Sequence, residues 1–131
     1  MFRAIKSDTG ALIPWEYLPA AAGTYHVGQA LQVTGGKVAA IAADLKTTPQ
    51  YICEAEITVV AGDPIPVTRV SKNHIYETTL AAAASGADVG AKLQVAANGL
   101  QAKYDSSAAG TFEVVTITGT AAGDTVRGRW L

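Results

Sequence analysis

Val27-Gly28-Gln29-Ala30-Leu31-Gln32-Val33 returns, 62 positions later, as Val89-Gly90-Ala91-Lys92-Leu93-Gln94-Val95. At the same offset Ile13 falls on Ile75, Leu18 on Leu80, and Ala20-Ala21-Ala22 on Ala82-Ala83-Ala84. A two-residue slip in the next loop sets Tyr51-Ile52 on Thr111-Phe112 and Ile57 on Ile117. One further residue of slip sets Ala61-Gly62-Asp63 on Ala122-Gly123-Asp124. Residues 13–70 and 75–131 therefore read as two copies of one unit, with a connector at 71–74 and an N-terminal arm, residues 1–12, that has no counterpart. The matched residues are apolar positions and turn glycines, with almost no reactive side chain among them. The repeated element is a scaffold, and the expectation is a protein that is not an enzyme.

The pattern inside each copy is that of strands. Helical periodicity with caps is sustained in no window. Strand signals recur every eight to twelve residues, the spacing of a sandwich or barrel. The first copy reads as strands at Leu12–Leu18, Gln29–Thr34, Lys37–Ile41, a long one at Gln50–Val60, and Ile65–Val70. Gly35-Gly36 is a hairpin turn. Pro64 and Pro66 predict that the last of these strands lies at a sheet edge, because proline cannot donate to a ladder. The second copy reads as His74–Leu80, Lys92–Val95, Leu100–Tyr104 after the turn signal Asn98-Gly99, then Thr111–Thr118 and Thr125–Leu131. The expected fold is all-β: two tandem copies of a small barrel or sandwich unit forming a pseudo-symmetric domain, with an N-terminal arm. Units this small are marginal alone, so the copies are expected to share a core.

Composition narrows the function. Of 131 residues, 49% are hydrophobic and only 16% charged, against a usual charged share of about 25%. Such a neutral surface suits a protein much of whose exterior is covered by a partner. The net charge of −1 is spread along the chain, which leaves nucleic-acid binding without an electrostatic footprint. No apolar run is long enough for a membrane-spanning helix, and the first residues lack the apolar core of a signal peptide. Cys53 is the single cysteine and cannot form an internal disulfide. Together these features predict assembly in a reducing cytoplasm.

The residues able to carry chemistry do not converge in the sequence. His26 and His74 are far apart and unmatched between the copies, and no metal-ligand spacing surrounds them. Cys53, aligned with Glu113, reads as a small buried hydrophobe. Glu54 and Glu56 share one face of the predicted long strand, about 7 Å apart by strand rise, but the second copy has Val114 and Thr116 there. Gly62-Asp63 and Gly123-Asp124 read as turns. No cofactor is expected. The aromatic residues carry more. Trp15, Tyr17 and Tyr25 cluster near the arm and Trp130 ends the chain, as interface anchors or as core plugs. The arm itself carries Phe2, Ile5, Leu12 and the cations Arg3 and Lys6. It is expected to be an anchor ordered by a partner, and dispensable for the fold. Phe2, Arg3, Ile5, Lys6, Trp15 and Tyr17 are the candidate interface residues.

The stretches Ile13-Pro14-Trp15-Glu16-Tyr17-Leu18-Pro19-Ala20, Val27-Gly28-Gln29-Ala30-Leu31 and Pro49-Gln50-Tyr51-Ile52 resemble small head decoration proteins of tailed bacteriophages. So do Gly62-Asp63-Pro64-Ile65-Pro66-Val67-Thr68-Arg69-Val70, Ile75-Tyr76-Glu77-Thr78-Thr79 and Gly123-Asp124-Thr125-Val126-Arg127. The resemblance covers most of the chain and rests on structural positions. It implies a virion protein, made in the host bacterial cytoplasm, that binds the outside of an assembled head through the major capsid protein and stiffens the shell. On that surface it would sit as a homo-oligomer, and the resemblance implies no catalytic residue. The competing expectation is a tail or fibre module that binds host carbohydrate, with exposed aromatics lining a groove.

Overall fold

A computed structural model describes residues 1–131. The chain forms thirteen short strands and no helix. In order they are β1 (Arg3–Ser7), β2 (Trp15–Pro19), β3 (Gly23–Tyr25), β4 (Ala30–Thr34), β5 (Lys37–Ala40), β6 (Tyr51–Cys53), β7 (Ile57–Val59), β8 (Pro64–Arg69), β9 (His74–Thr79), β10 (Lys92–Val95), β11 (Ala102–Lys103), β12 (Phe112–Ile117) and β13 (Thr125–Trp130). The first half builds a five-stranded sheet in the order β2-β8-β6-β4-β5. The second half builds β9-β13-β12-β10-β11, with β1 added outside β9 as a sixth strand. A parallel bridge from Ala20 to Val38 ties the end of β2 to β5, and one from Leu80 to Ala102 ties the end of β9 to β11. Each sheet is thereby rolled into a small barrel. A short β3–β7 pair stands beside the first barrel only.

The two sheets match strand for strand, and the hydrogen bonds fix which residues correspond. Gly28 donates to the Cys53 carbonyl and Gly90 to that of Val114, both at 2.8 Å. Ala20 donates to Asp63 and Leu80 to Asp124, both at 2.9 Å. Leu80 therefore stands where Ala20 does, not where Leu18 does, and Val114 stands where Cys53 does. Tyr51 pairs with Leu31 as Phe112 pairs with Leu93, so Phe112, not Thr111, is the counterpart of Tyr51. The first offset is corrected by two residues because the loop between β9 and Gly90 is longer than the one between β2 and Gly28. A shift of two leaves every side chain on its own face of the pleat, so the sequence pattern does not register it.

Two apolar cores result. A cluster of nine buried residues, among them Tyr25, Leu31, Ile65 and Val67, fills the first barrel. A cluster of 14 fills the second and reaches across: it holds Leu93, Phe112, Val114 and Trp130 together with Ala30 and Ile52 from the first half and Phe2 from the arm. The halves are further joined by reciprocal backbone bonds between Leu45 and Val95, at 2.8 and 2.9 Å. Asp44 also accepts from the Ala97 amide and from Lys103. The hydrogen bond from Lys103 holds the Asp44 carboxyl below its ordinary range.

Three expectations are corrected. The arm is part of the fold: β1 pairs antiparallel with β9, and Phe2 is only 2% exposed. Its ring lies 5.3 Å from Trp130 and 5.6 Å from Phe112, so Phe2 is a core residue and leaves the set of interface candidates. The strand containing Pro64 and Pro66 is not at an edge; β8 lies between β2 and β6. Its prolines are tolerated because β6 ends at Cys53, so the position that Pro66 cannot donate to is already past the ladder, and the Pro66 carbonyl accepts from Glu54. The predicted long strand at Gln50–Val60 is broken into β6 and β7 by Glu54-Ala55-Glu56. The two glutamates consequently point to different partners.

Candidate docking surface

The alternation of β2, β8, β6 and β4 sorts their residues onto two faces. Leu18, Ile65, Val67, Cys53 and Leu31 point into the first barrel. Tyr17, Trp15, Pro66, Thr68, Ile52 and Ala30 form its outer face. Ala30 and Ile52 are covered by the second half, as members of the larger core. Moving away from that contact, Thr68 is still buried at 7%, but Trp15 is 58% and Tyr17 66% exposed. The apolar outer face thus runs out from under the second half and ends in two open aromatic side chains.

A cleft of about 290 Å3 opens beside Trp15; Ile13, Met1, Arg3, Thr68 and Tyr76 are among its lining residues. Glu54 also lines it and accepts a 2.7 Å hydrogen bond from the Thr68 hydroxyl. A shallower hollow of about 260 Å3 is lined by Ile5, Lys6, Leu12 and Ile13. Ile13 borders both, so Ile5, Leu12, Ile13 and Trp15 form one stretch of surface, with Tyr17 two residues further along β2. Leu12 is 95% exposed and with Ile13 completes the surface. Leu12 was named by sequence only as an apolar residue of the arm, and neither it nor Ile13 was among the interface candidates, although an apolar pair between Gly10 and Pro14 was the available signal.

The remaining candidates take these places. Arg3 is held within the chain by Glu77 at 2.8 Å, and Arg127 reaches the same carboxylate at 2.8 Å. Hydrogen bonds from Arg127 and Arg3 keep the Glu77 carboxyl below its usual range. Ile5 is the extra residue of a bulge in β1, between Ala4 and Lys6, and is 39% exposed. Lys6 is exposed. Of the other aromatics, Tyr25 and Trp130 are core plugs at 2% and 1% exposure. The Tyr25 hydroxyl donates to the Ala21 carbonyl at 2.7 Å.

The residues with reactive side chains stand apart. His26 Nδ1 lies 2.7 Å from Glu56 Oε2, and that contact lowers the Glu56 carboxyl. His26 does not share the cleft with Glu54. Cys53 is fully buried in the smaller core, where desolvation pushes its thiol up. No three of the His, Cys, Asp and Glu side chains converge as a metal-binding group would. No protein-family model matches this sequence, and no curated protein matches it above the threshold of significance.

Proposed function

We propose that this chain is a virion structural protein that binds the outside of an assembled bacteriophage head through the major capsid protein and stabilises the shell. The observation that carries this reading is the open apolar strip Ile5, Leu12, Ile13, Trp15 and Tyr17, continuous with the buried contact between the two halves. Exposed aromatics next to fully buried apolar residues are the composition of an interface core. Lys6 borders the strip and supplies a cation toward capsid carboxylates, whereas Arg3 is already engaged by Glu77. A ligand that binds only the assembled shell stabilises that state alone, which is the physical sense of decoration.

The test is co-sedimentation with heads of the phage whose genome encodes this chain, stripped of accessory protein. Replacing Trp15 and Tyr17 together by alanine is expected to weaken binding at least tenfold, about 1.4 kcal/mol, with the melting curve unchanged. Wild-type protein that leaves the heads in the supernatant, or does not raise their thermal stability, overturns the reading. The position of Trp15 beside a cleft with a polar end, Glu54 and Thr68, favours a second reading, a carbohydrate-binding module of a tail or fibre. Quenching of Trp15 fluorescence by host-surface glycans, without head binding, would select it.

A further inference from the structure

We infer that the cleft beside Trp15 is a binding site for a guanidinium group, the arginine side chain of a protein that covers the apolar strip. The identity of that protein rests on the docking proposed above; the chemistry of the cleft does not.

Register places the groups. Trp15 pairs with Thr68 across β2 and β8, and Thr68 pairs with Ile52 across β8 and β6. Directly opposed residues share a face of the pleat, so the Trp15 and Thr68 side chains are neighbours. The Thr68 hydroxyl donates to Glu54 Oε1 at 2.7 Å. An aromatic side chain and a carboxylate are thus one threonine apart in a cleft of about 290 Å3. The scaffold does not require this carboxylate. Cys53 is followed by Glu54, whereas its counterpart Val114 is followed by Val115 and Thr116, and the second barrel closes without a charge there.

Nothing in the chain answers the charge of Glu54. The ion pairs use other carboxylates, those of Asp8, Glu16, Asp44, Glu56 and Glu77. Thr68 is the one hydrogen-bond partner of the Glu54 side chain, which leaves Oε2 free. Two cations border the cleft. Arg3 is held by Glu77 at 2.8 Å. The Met1 ammonium is lowered by burial, with no carboxylate acting on it. Burial pushes the Tyr76 hydroxyl up and the Glu54 charge adds to that, so the charge is felt inside the cleft. A carboxylate partly withdrawn from water is stabilised by a cation that brings hydrogen-bond donors with it.

The aromatic neighbour selects the kind of cation. A guanidinium is planar and weakly hydrated, so it stacks on an indole face while its fork of donors reaches a carboxylate. Laid along Trp15, it meets the free Oε2 of Glu54 at the far end. An ammonium is a strongly hydrated point charge and uses the ring less well. The cleft is at the small end of the roughly 300–1,000 Å3 usual for small-molecule sites, which suits one side chain presented by a partner. Tryptophan and arginine are also the residues that dominate interface energetics and tend to pair across them.

Titration with N-acetyl-arginine amide, followed by the indole N–H resonances, tests the inference. Trp15 is 58% and Trp130 1% exposed, so the first reports contact and the second reports any change of fold. The expected result is a saturable shift of the Trp15 resonance alone. Glu54→Gln keeps an acceptor for Thr68 and removes the charge; it is expected to bind the probe at least tenfold more weakly, with an unchanged melting curve. N-acetyl-citrulline amide, the neutral isostere, is expected to bind wild type at least tenfold more weakly, a comparison that needs no variant. Absence of a saturable shift overturns the inference, as does citrulline binding as tightly as arginine. Uptake of methyl glucoside but not of the arginine probe overturns it in favour of a sugar site. Wild-type protein that binds heads yet ignores the probe overturns this inference and leaves the docking intact. Uptake of the probe without head binding supports the guanidinium site and removes the capsid as its source.

Discussion

The two halves of the chain keep one strand order and one register but put opposite chemistry on their outer faces. Where the second half has Glu77, Lys92, Glu113, Arg127 and Arg129, the first has Tyr17, Ala30, Ile52, Pro66 and Thr68. The second half is thereby finished toward solvent by charge: Glu77 binds two arginines, and Arg129 binds Asp8 at 3.0 Å. The first half is finished by being covered, partly by its neighbour and partly, at Trp15 and Tyr17, by nothing in the chain. The same contrast recurs at a single cross-strand pair. Phe112 packs on Trp130 at 4.7 Å in the second half, and the equivalent Tyr51 carries the Arg69 guanidinium 5.0 Å above its ring in the first. A β scaffold dictates where side chains point and leaves their chemistry free, so two copies of one backbone can divide the work of making a core and presenting a surface.

The largest test of this comparison is at that pair. Trp130→Ala opens a cavity in the larger core beside Phe2 and Phe112, and is expected to cost about 4 kcal/mol in denaturant unfolding. Arg69→Ala, at the equivalent position, removes an exposed guanidinium and is expected to cost a small fraction of that. Comparable losses from the two variants would break the claim that the position is core in one half and surface in the other.

Next in size is a pair of glycines. Gly28 has φ of 75° and Gly90 of 87°, so alanine is strained by about 1–2 kcal/mol at both. At Gly90 an added Cβ meets nothing within 4 Å, whereas at Gly28 it runs into the Met1 side chain and the Phe2 backbone. Gly28→Ala is therefore expected to cost about 3 kcal/mol or more in total, and to loosen protection of the Phe2 amide, which donates to the Gly28 carbonyl. Thermal melts and hydrogen exchange of both variants check it. Equal melting temperatures would mean that the arm is not seated on Gly28.

The smallest effect sharpens the comparison of charge. The Glu77 carboxyl is held below its ordinary value, so its contribution to stability is fully present above the unfolded-state value near 4.3 and is lost as pH falls through the lower folded-state value. Glu77→Gln is expected to cost at most about 1 kcal/mol at pH 7, with the gap to wild type closing below about pH 4. Tyr17→Gln, at the equivalent position, is expected to show no such pH dependence. Parallel urea titrations at pH 3, 5 and 7 measure both.

The arrangement of strands was legible because alternation and turn glycines are local signals. Thr34-Gly35-Gly36-Lys37 joins β4 to β5, and the Gly62-Asp63 and Gly123-Asp124 turns close on equivalent backbone bonds. The all-β class and most strand positions therefore followed from the order of residues, while the aromatics near the arm stayed open between interface anchor and core plug. What the sequence misled on is equally specific. Glu54 and Glu56 alternate perfectly with apolar neighbours, yet the strand breaks there, because Glu54 turns to Thr68 and Glu56 to His26. Pro66 reads as an edge residue, and only the early end of β6 shows why it is not.

By itself the sequence determined the pleat: which residues share a face, where the chain turns, and that the pattern occurs twice. Tertiary structure alone decided the two-residue offset between β2 and β9, since an even shift preserves facing and leaves no trace in a pattern of period two. It alone decided the fate of the arm. Phe2 and Trp15 are both aromatic residues near the N-terminus, and nothing local separates them. Phe2 is buried because β1 has a free edge to join on β9, and Trp15 is open because the matching edge of β2 has no strand left in the chain to cover it.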